Sequence, residues 1–178
     1  MALCLGIDTS NYTTSVALFD GVSGYNLGRL LDVPEGALGL RQSDALFQHV
    51  KHLPEIFAAL RAEGRLDGCI AAVGASTKPR WVEGSYMPCF LAGVSAAEAF
   101  ALARGIPLVR TTHQQGHAAA ALFAAKGEEL FREKTLLFHI SGGTTDLLLC
   151  DEVKHIETLG TSSDLYAGQA VDLSLIHI

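Results

Sequence analysis

Gly6-Ile7-Asp8-Thr9-Ser10-Asn11-Tyr12-Thr13-Thr14-Ser15-Val16-Ala17-Leu18 sets two apolar, β-prone runs around one polar turn. The same plan returns at His139-Ile140-Ser141-Gly142-Gly143-Thr144-Thr145-Asp146-Leu147-Leu148-Leu149. Leu3 to Ile7 and Thr14 to Phe19 read as strands, and Asp20-Gly21 marks a turn before the strand-like Tyr25 to Leu31, which makes a three-stranded meander. The first polar turn is crowded with small hydroxyl and carboxylate groups. Such a turn offers backbone N–H groups and hydroxyls, here those of Thr9 and Ser10, to a phosphate, with Asp8 available to a phosphate-bound metal or water. The same composition also suits an ordinary Asx or Ser/Thr turn.

Beyond the connector Val33-Pro34-Glu35-Gly36, Ser43 is a plausible cap for a helix whose apolar positions Leu46, Val50, Leu53, Phe57 and Leu60 recur at three and four. Pro54 is a candidate kink, His49 and His52 read as a polar flank, and Gly64 ends the helix. Cys69 to Val73 is a short buried strand closing at Gly74, and Ala75 to Ser85 is the most loop-like segment, with the chain's only tryptophan. Loops after a strand's carboxyl end are where α/β folds place binding groups, so Lys78, Arg80 and Trp81 are candidates to touch a substrate or partner, or else form a solvated lid. A small-residue helix from Met87 to Arg104 stops at Gly105, and Ile106 to Arg110 is the next strand.

That strand delivers the chain to Thr112, a natural N-cap, and to His113 and His117 on the first two turns of a helix. Residues i and i+4 share a helix face with Cβ atoms roughly 5–6 Å apart, so two imidazoles so placed can grip one metal ion. Zinc, iron, nickel and copper all take imidazole, and a third ligand is needed. Gln114 stands where the zincin motif has its general-base Glu, which disfavours a zinc protease. The spacing is equally compatible with two histidines on a solvated or half-buried helix.

After the charged break Lys126 to Lys134 comes the second hairpin, whose glycines permit φ > 0 and close approach of backbone to a ligand. His155 to Leu159 follows as a strand, then a helix start containing Asp164, Gly168 and Asp172. The order β-β-β-α-β-α-β-α with a fresh β-hairpin implies an α/β fold: a ribonuclease H-like half and the start of a second, the actin-like ATPase (ASKHA) architecture. The expected divisions are residues 1–134 as the first half with the H-x-x-x-H helix, 135–172 as the start of the second, and 173–178 as a truncated or non-native tail.

Composition bounds the function. At 178 residues the chain can close one hydrophobic core, and 49% hydrophobic with 18% charged residues is globular. A net charge of -6 gives no general pull toward nucleic-acid phosphates, so an RNA partner needs a local basic surface or another subunit. No apolar run approaches the roughly 18 residues of a spanning helix, and a cytoplasmic location without membrane binding is expected. The four cysteines, Cys4, Cys69, Cys89 and Cys150, lie singly without C-x-x-C and read as buried reduced thiols.

Taken in order, GIDTS, the Pro-containing loop, H-x-x-G-H, SGG and LGTSSDLYAGQAVD resemble the threonylcarbamoyladenosine synthase catalytic-subunit family (TsaD type, long labelled O-sialoglycoprotein endopeptidase or glycoprotease), from Leu5 to Asp172. The resemblance implies a divalent metal, iron or zinc, on His113 and His117, with an aspartate from the family's C-terminal half. It also implies that His139, Ile140, Ser141, Gly142 and Gly143 line the site for ATP or threonylcarbamoyl-adenylate and that Asp172 holds the ribose; Asp8, in the first polar turn, is the candidate catalytic residue. The family reaction transfers threonylcarbamoyl to the adenosine beside the tRNA anticodon, with the metal as Lewis acid and template. The implied partners are tRNA, reached through partner subunits, and other threonylcarbamoyladenosine-pathway proteins.

This chain departs from the family pattern. Asn11, Tyr12 and Thr13 stand where the family has an acidic pair, Gln115 where it has Glu, and Lys78-Pro79-Arg80 where it has Gly-Pro-Gly. Gln115 hydrogen-bonds but is neither a base nor a counter-charge. A divergent member is expected, and the alternatives are a non-catalytic actin-like nucleotide- or partner-binding paralogue and a metallopeptidase.

Overall fold

The computed structural model describes residues 2–10, 12–36, 39–140, 143–152 and 155–176, apart from the side chains of 128, 172, 175 and 176. Strands β1 (Ala2–Asp8), β2 (Thr13–Phe19) and β3 (Gly24–Leu30) form the meander that alternation demanded. Helix α1 (Gln42–Ala62), β4 (Cys69–Lys78), α2 (Phe90–Arg104) and β5 (Leu108–Thr112) follow, and the sheet order is β3-β2-β1-β4-β5. β1 pairs antiparallel with β2 and parallel with β4, and β4 pairs parallel with β5. Helix α3 (His113–Ala124) leads through a 3-10 turn (Glu128–Arg132) to the antiparallel sheet β6 (Lys134–Ile140), β7 (Thr145–Asp151) and β8 (His155–Thr161), and then α4 (Ala167–Ile176). Two compact units result, Met1–Gln114 and Gln115–Ile178. No described helix is long and apolar enough to cross a membrane.

The core of the first unit lies between the sheet and its two helices. Leu5, Ile7, Val16, Leu18, Ile70 and Val73 bury the inward phase of their strands against Leu53, Ile56 and Leu60 of α1 and Ala97 and Ala101 of α2. Each large aliphatic side chain so buried contributes about 1.5–3 kcal/mol. Helix α2 ends as its sequence dictates, with Gly105 left-handed at φ 64° and its N–H returned to the last turn.

The structure corrects three readings. α1 starts at Gln42, runs through Pro54, and buries Ala45, His49, His52, Leu53, Ile56 and Leu60, leaving Val50 55% exposed. The histidines are part of the buried stripe and not a polar flank, because Thr14 of β2 meets both: its Oγ1 lies 2.8 Å from Nδ1 of His49 and 3.3 Å from Nδ1 of His52. β4 runs on to Lys78, so Ala75 to Lys78 are strand and not loop, held by parallel pairing with β5. Cys89 and Cys150 are buried as expected, but Cys4 and Cys69 are exposed.

Burial holds the His52 imidazole below its usual pKa, helped by the charge of Arg29 and of Lys51 and opposed by Asp32. The unfolded chain therefore takes up a proton that the folded one resists, so stability that is full above about pH 6.5 falls as the pH drops below it. Urea midpoints measured from pH 8 to 5 are expected to decline, and His52→Asn to flatten the decline. A His52→Asn profile parallel to the parent's would place the acid sensitivity elsewhere.

In the second unit β7 alternates cleanly, burying Asp146, Leu148 and Cys150. Ala167 N–H donates to Thr145 Oγ1 at 2.8 Å and Ser162 N–H to Thr145 O at 2.9 Å, which joins the start of α4 to the start of β7. The other phase of β6 is apolar and open, with Leu136 60%, Phe138 73% and Ile140 58% exposed.

Candidate functional site

Three parallel strands end side by side, and their ends carry the polar groups. The register sets Ile7 beside Ala75, and Ser76 and Lys78 beside Thr111 and Thr112, so Asp8 at the tip of β1 is brought level with the residue that opens α3. That residue is His113, 105 positions away in sequence, and its Nδ1 lies 3.0 Å from Asp8 Oδ2. Thr111 Oγ1 donates to Ala75 O at 3.2 Å and Thr77 Oγ1 to Thr111 O at 3.0 Å, which ties β4 to β5 just behind the pair.

Asp8 is a carboxylate prepared by its surroundings. Ser10 donates its backbone N–H at 2.8 Å and its hydroxyl to Oδ1. Burial alone raises the Asp8 pKa, but the hydrogen bond and charge of His113 and the hydroxyls of Ser10 and Ser76 outweigh it, holding the group well below the usual carboxylate range. An ionised carboxylate only accepts, so Nδ1 of His113 is the donor and Nε2 is the nitrogen the ring offers to anything else. Phe90, buried at the start of α2, sets its ring edge-on to the imidazole at 6.4 Å.

Thr9 faces inward. It is fully buried, its Oγ1 donates to Cys89 O at 3.0 Å and accepts from Gly93 N–H at 3.1 Å, and the turn is thereby pinned to the first turn of α2. Its side chain serves packing, and what remains for a ligand is backbone. Ser10, of intermediate exposure, caps Asp8. Gln114 is buried, its N–H donates to Pro79 O at 3.1 Å, and its Nε2 has no hydrogen-bond partner among the described residues.

His117 lies on α3 in the second unit, where its ring stands 5.2 Å from that of His139, tilted by 38°. Asp146, 1% exposed, is the cross-strand partner of His139. Ile140 is mostly exposed. Gly143 has open space at its Cβ position. Ser141 and Gly142 lie outside the described residues, as does the side chain of Asp172 on α4. As a donor set for a divalent metal the described residues are incomplete: His113 and His117 share α3, but no group of three His, Cys, Asp or Glu able to hold an ion occurs among them.

Sequence reading did not single out Ser76 or Asp146, and it placed His49 and His52 on a polar flank and not in the buried stripe. Asp146 had a legible signal, an acid in the buried phase of an alternating strand. Ser76 had none, since it lay in a stretch read as loop.

A meander feeding parallel β4 and β5, with a polar turn at the tip of β1, defines a ribonuclease H-like protein of the actin-like class. Solved structures agree on the fold. YeaZ from Pseudomonas aeruginosa superposes with a TM-score of 0.53 at 15% identity, over 93% of this chain and 68% of that one. An uncharacterized protein with similarity to peptidase YeaZ, from Pseudomonas aeruginosa, gives 0.53 at 15% identity over 90% of this chain and 64% of its own length, so this chain spans about two thirds of each. Residues 39–174 match the model of TsaD, tRNA N6-adenosine threonylcarbamoyltransferase, and the chain belongs to that family.

Proposed function

We propose that this protein works in threonylcarbamoyl transfer from the adenylate to a tRNA adenosine, with the Asp8–His113 pair at its centre. The 3.0 Å contact between them carries the reading, because it joins the first-turn carboxylate to the first histidine of the H-x-x-x-H helix in a chain of this family. The adenosine N6 attacks the carbamoyl carbon, a C–N bond forms, the C–O bond to AMP breaks, AMP leaves with the bonding electrons on its phosphate, and the N6 proton passes to water. Asp8 keeps His113 in one tautomer and one orientation, so that Nε2 faces the ligand. Thr9 and Ser10 are assigned to the adenylate phosphate, Thr9 through its backbone N–H, since the Ser10 N–H is already given to Asp8. His139, Ile140, Ser141, Gly142 and Gly143 are assigned to the nucleotide and Asp172 to its ribose. His113 and His117 are the candidate ligands of a divalent metal, iron or zinc, whose chemistry would be Lewis acidity. The described donors do not complete that site.

Residues 1–134 and 135–172 are proposed as the first half of the fold and the start of the second, with tRNA reached through other proteins of the same pathway. The test supplies threonylcarbamoyl-adenylate and tRNA and measures modified adenosine by nucleoside analysis, with bound metal measured in parallel. Product and metal are both expected to fall to background in a His113→Ala, His117→Ala double variant. Adenylate binding without any product would favour the non-catalytic actin-like reading, and product formation unaffected by the double variant would remove the histidines from the reaction.

A further inference from the structure

Helix α1 is fastened to β2 through one hydroxyl. Thr14 Oγ1 lies 2.8 Å from Nδ1 of His49 and 3.3 Å from Nδ1 of His52, and all three side chains are buried, Thr14 and His49 completely. A hydroxyl has one proton and two lone pairs, and each nitrogen of a neutral imidazole either donates or accepts. If both rings accepted, one contact would lack a proton. If both donated, the Thr14 proton would have no acceptor, since its oxygen meets only these two rings among the described residues. The node is therefore directional: one imidazole donates from Nδ1 to Thr14 Oγ1, and the Thr14 O–H donates to Nδ1 of the other. Such a node accepts one proton without breaking, because an imidazolium at the first ring still donates from Nδ1. A second proton removes the acceptor of the Thr14 O–H, strands that hydroxyl in the core and sets two cations on one oxygen.

The charges around the node come from β3, the chain after it and α1. Arg29 on β3 is the cross-strand partner of Thr14 and forms an ion pair with Glu55 of α1. Asp32, just past β3, is tied to α1 by Gln48, whose Oε1 accepts from Asp32 N–H at 2.7 Å and whose Nε2 donates to Asp32 O at 3.0 Å. Lys51 of α1 precedes His52. β2 brings no ionisable group, and the charges of α2 are engaged elsewhere, Glu98 with Arg110 and Arg104 over the Phe100 ring. Burial opposes a cation at His52 most, Arg29 and Lys51 add to it, and Asp32 favours one. We propose that His49, Thr14 and His52 form a pH-operated latch between α1 and β2, which holds with up to one proton and opens when the second imidazole is protonated. Ser15, next to Thr14, pairs with Asp8 across the sheet, so opening loosens the strand that backs the candidate site. The latch belongs to the first unit and is independent of the reaction catalysed.

Native-state hydrogen exchange reads such opening element by element. Between pH 8 and 5, after correction for the intrinsic exchange rate, protection in α1, β2 and β3 is expected to fall about 10-fold per pH unit for each proton bound on opening, while β4 and β5 keep theirs. A His49→Asn, His52→Asn variant, which keeps a hydrogen-bonding group on each side chain but takes up no proton, is expected to lose that dependence. In the parent at pH 8, nitrogen NMR is expected to show the two rings in opposite states at Nδ1, one carrying the proton and one bare. Two rings in the same tautomer, protection lost evenly across the sheet, or a double variant with the parent's pH dependence would overturn the latch. Should the double variant fail to fold, the exchange pattern and imidazole spectrum of the parent decide by themselves.

Discussion

Asp8→Asn is expected to lower product formation by about 10–100-fold, the usual cost of removing a carboxylate that orients a functional histidine. The substitution keeps the shape of the side chain and changes its hydrogen-bonding capacity. Asp8 accepts from His113 Nδ1, from the backbone and hydroxyl of Ser10, and from Ser76. An asparagine has one acceptor oxygen and two N–H donors, so it cannot receive all four, and an amide N–H facing His113 would force the opposite tautomer. The tautomer is observable by nitrogen NMR of the imidazole, a signature that simple destabilisation would not move. Asp20→Asn is the control, because Asp20 is also held below its usual pKa, but chiefly by the backbone N–H groups of Ser23 and Val22 in an exposed turn. An Asp8→Asn variant with the parent's rate and imidazole spectrum would remove Asp8 from the site. Acid should report the same pair: a carboxylate with a depressed folded pKa stabilises the protein fully above its unfolded value, about 3.9, and loses that contribution as the pH falls below it.

Gly93→Val is expected to destabilise the first unit by about 1–3 kcal/mol and to lower activity with it. A Cβ at Gly93 would stand 2.8 Å from Thr9 Oγ1, 3.2 Å from Thr9 Cγ2 and 3.3 Å from Ile7 Cγ2. Thr9 has no room to yield, since it is fully buried and its hydroxyl bonds both Cys89 O and Gly93 N–H. Displacement of Thr9 moves its neighbour Asp8, which is why a helix substitution away from the chemistry should reach the site. Gly116 on α3 is the contrast: nothing lies within 4 Å of its Cβ position, and Gly116→Ala should gain up to about 1 kcal/mol of helix propensity. Urea midpoints of the two variants should therefore move in opposite directions. A Gly93→Val protein as stable as its parent would show that the turn adapts.

The parts of this fold that were legible in the sequence are those set by local interactions. Alternation placed the two hairpins, and a glycine able to take the left-handed conformation placed the end of α2. Reading failed where a distant partner decided the outcome. His49 and His52 looked polar because imidazole usually faces water, and they are buried because a threonine on β2 receives both. Ala75 to Lys78 looked like loop because small polar residues prefer turns, and they are strand because β5 pairs with them.

For the site, the sequence by itself determined which groups exist: an aspartate at a strand tip and two histidines four apart. It also determined the helix that presents both imidazoles, because a 3.6-residue period is a local property of the backbone. Only the tertiary structure decided that Asp8 reaches His113, that Thr9 turns into the core, and that Pro79, just after β4, is fastened next to that pair. Those outcomes depend on the parallel register of β1, β4 and β5, which is fixed by side chains packing across the whole sheet and is written in no single stretch of the chain.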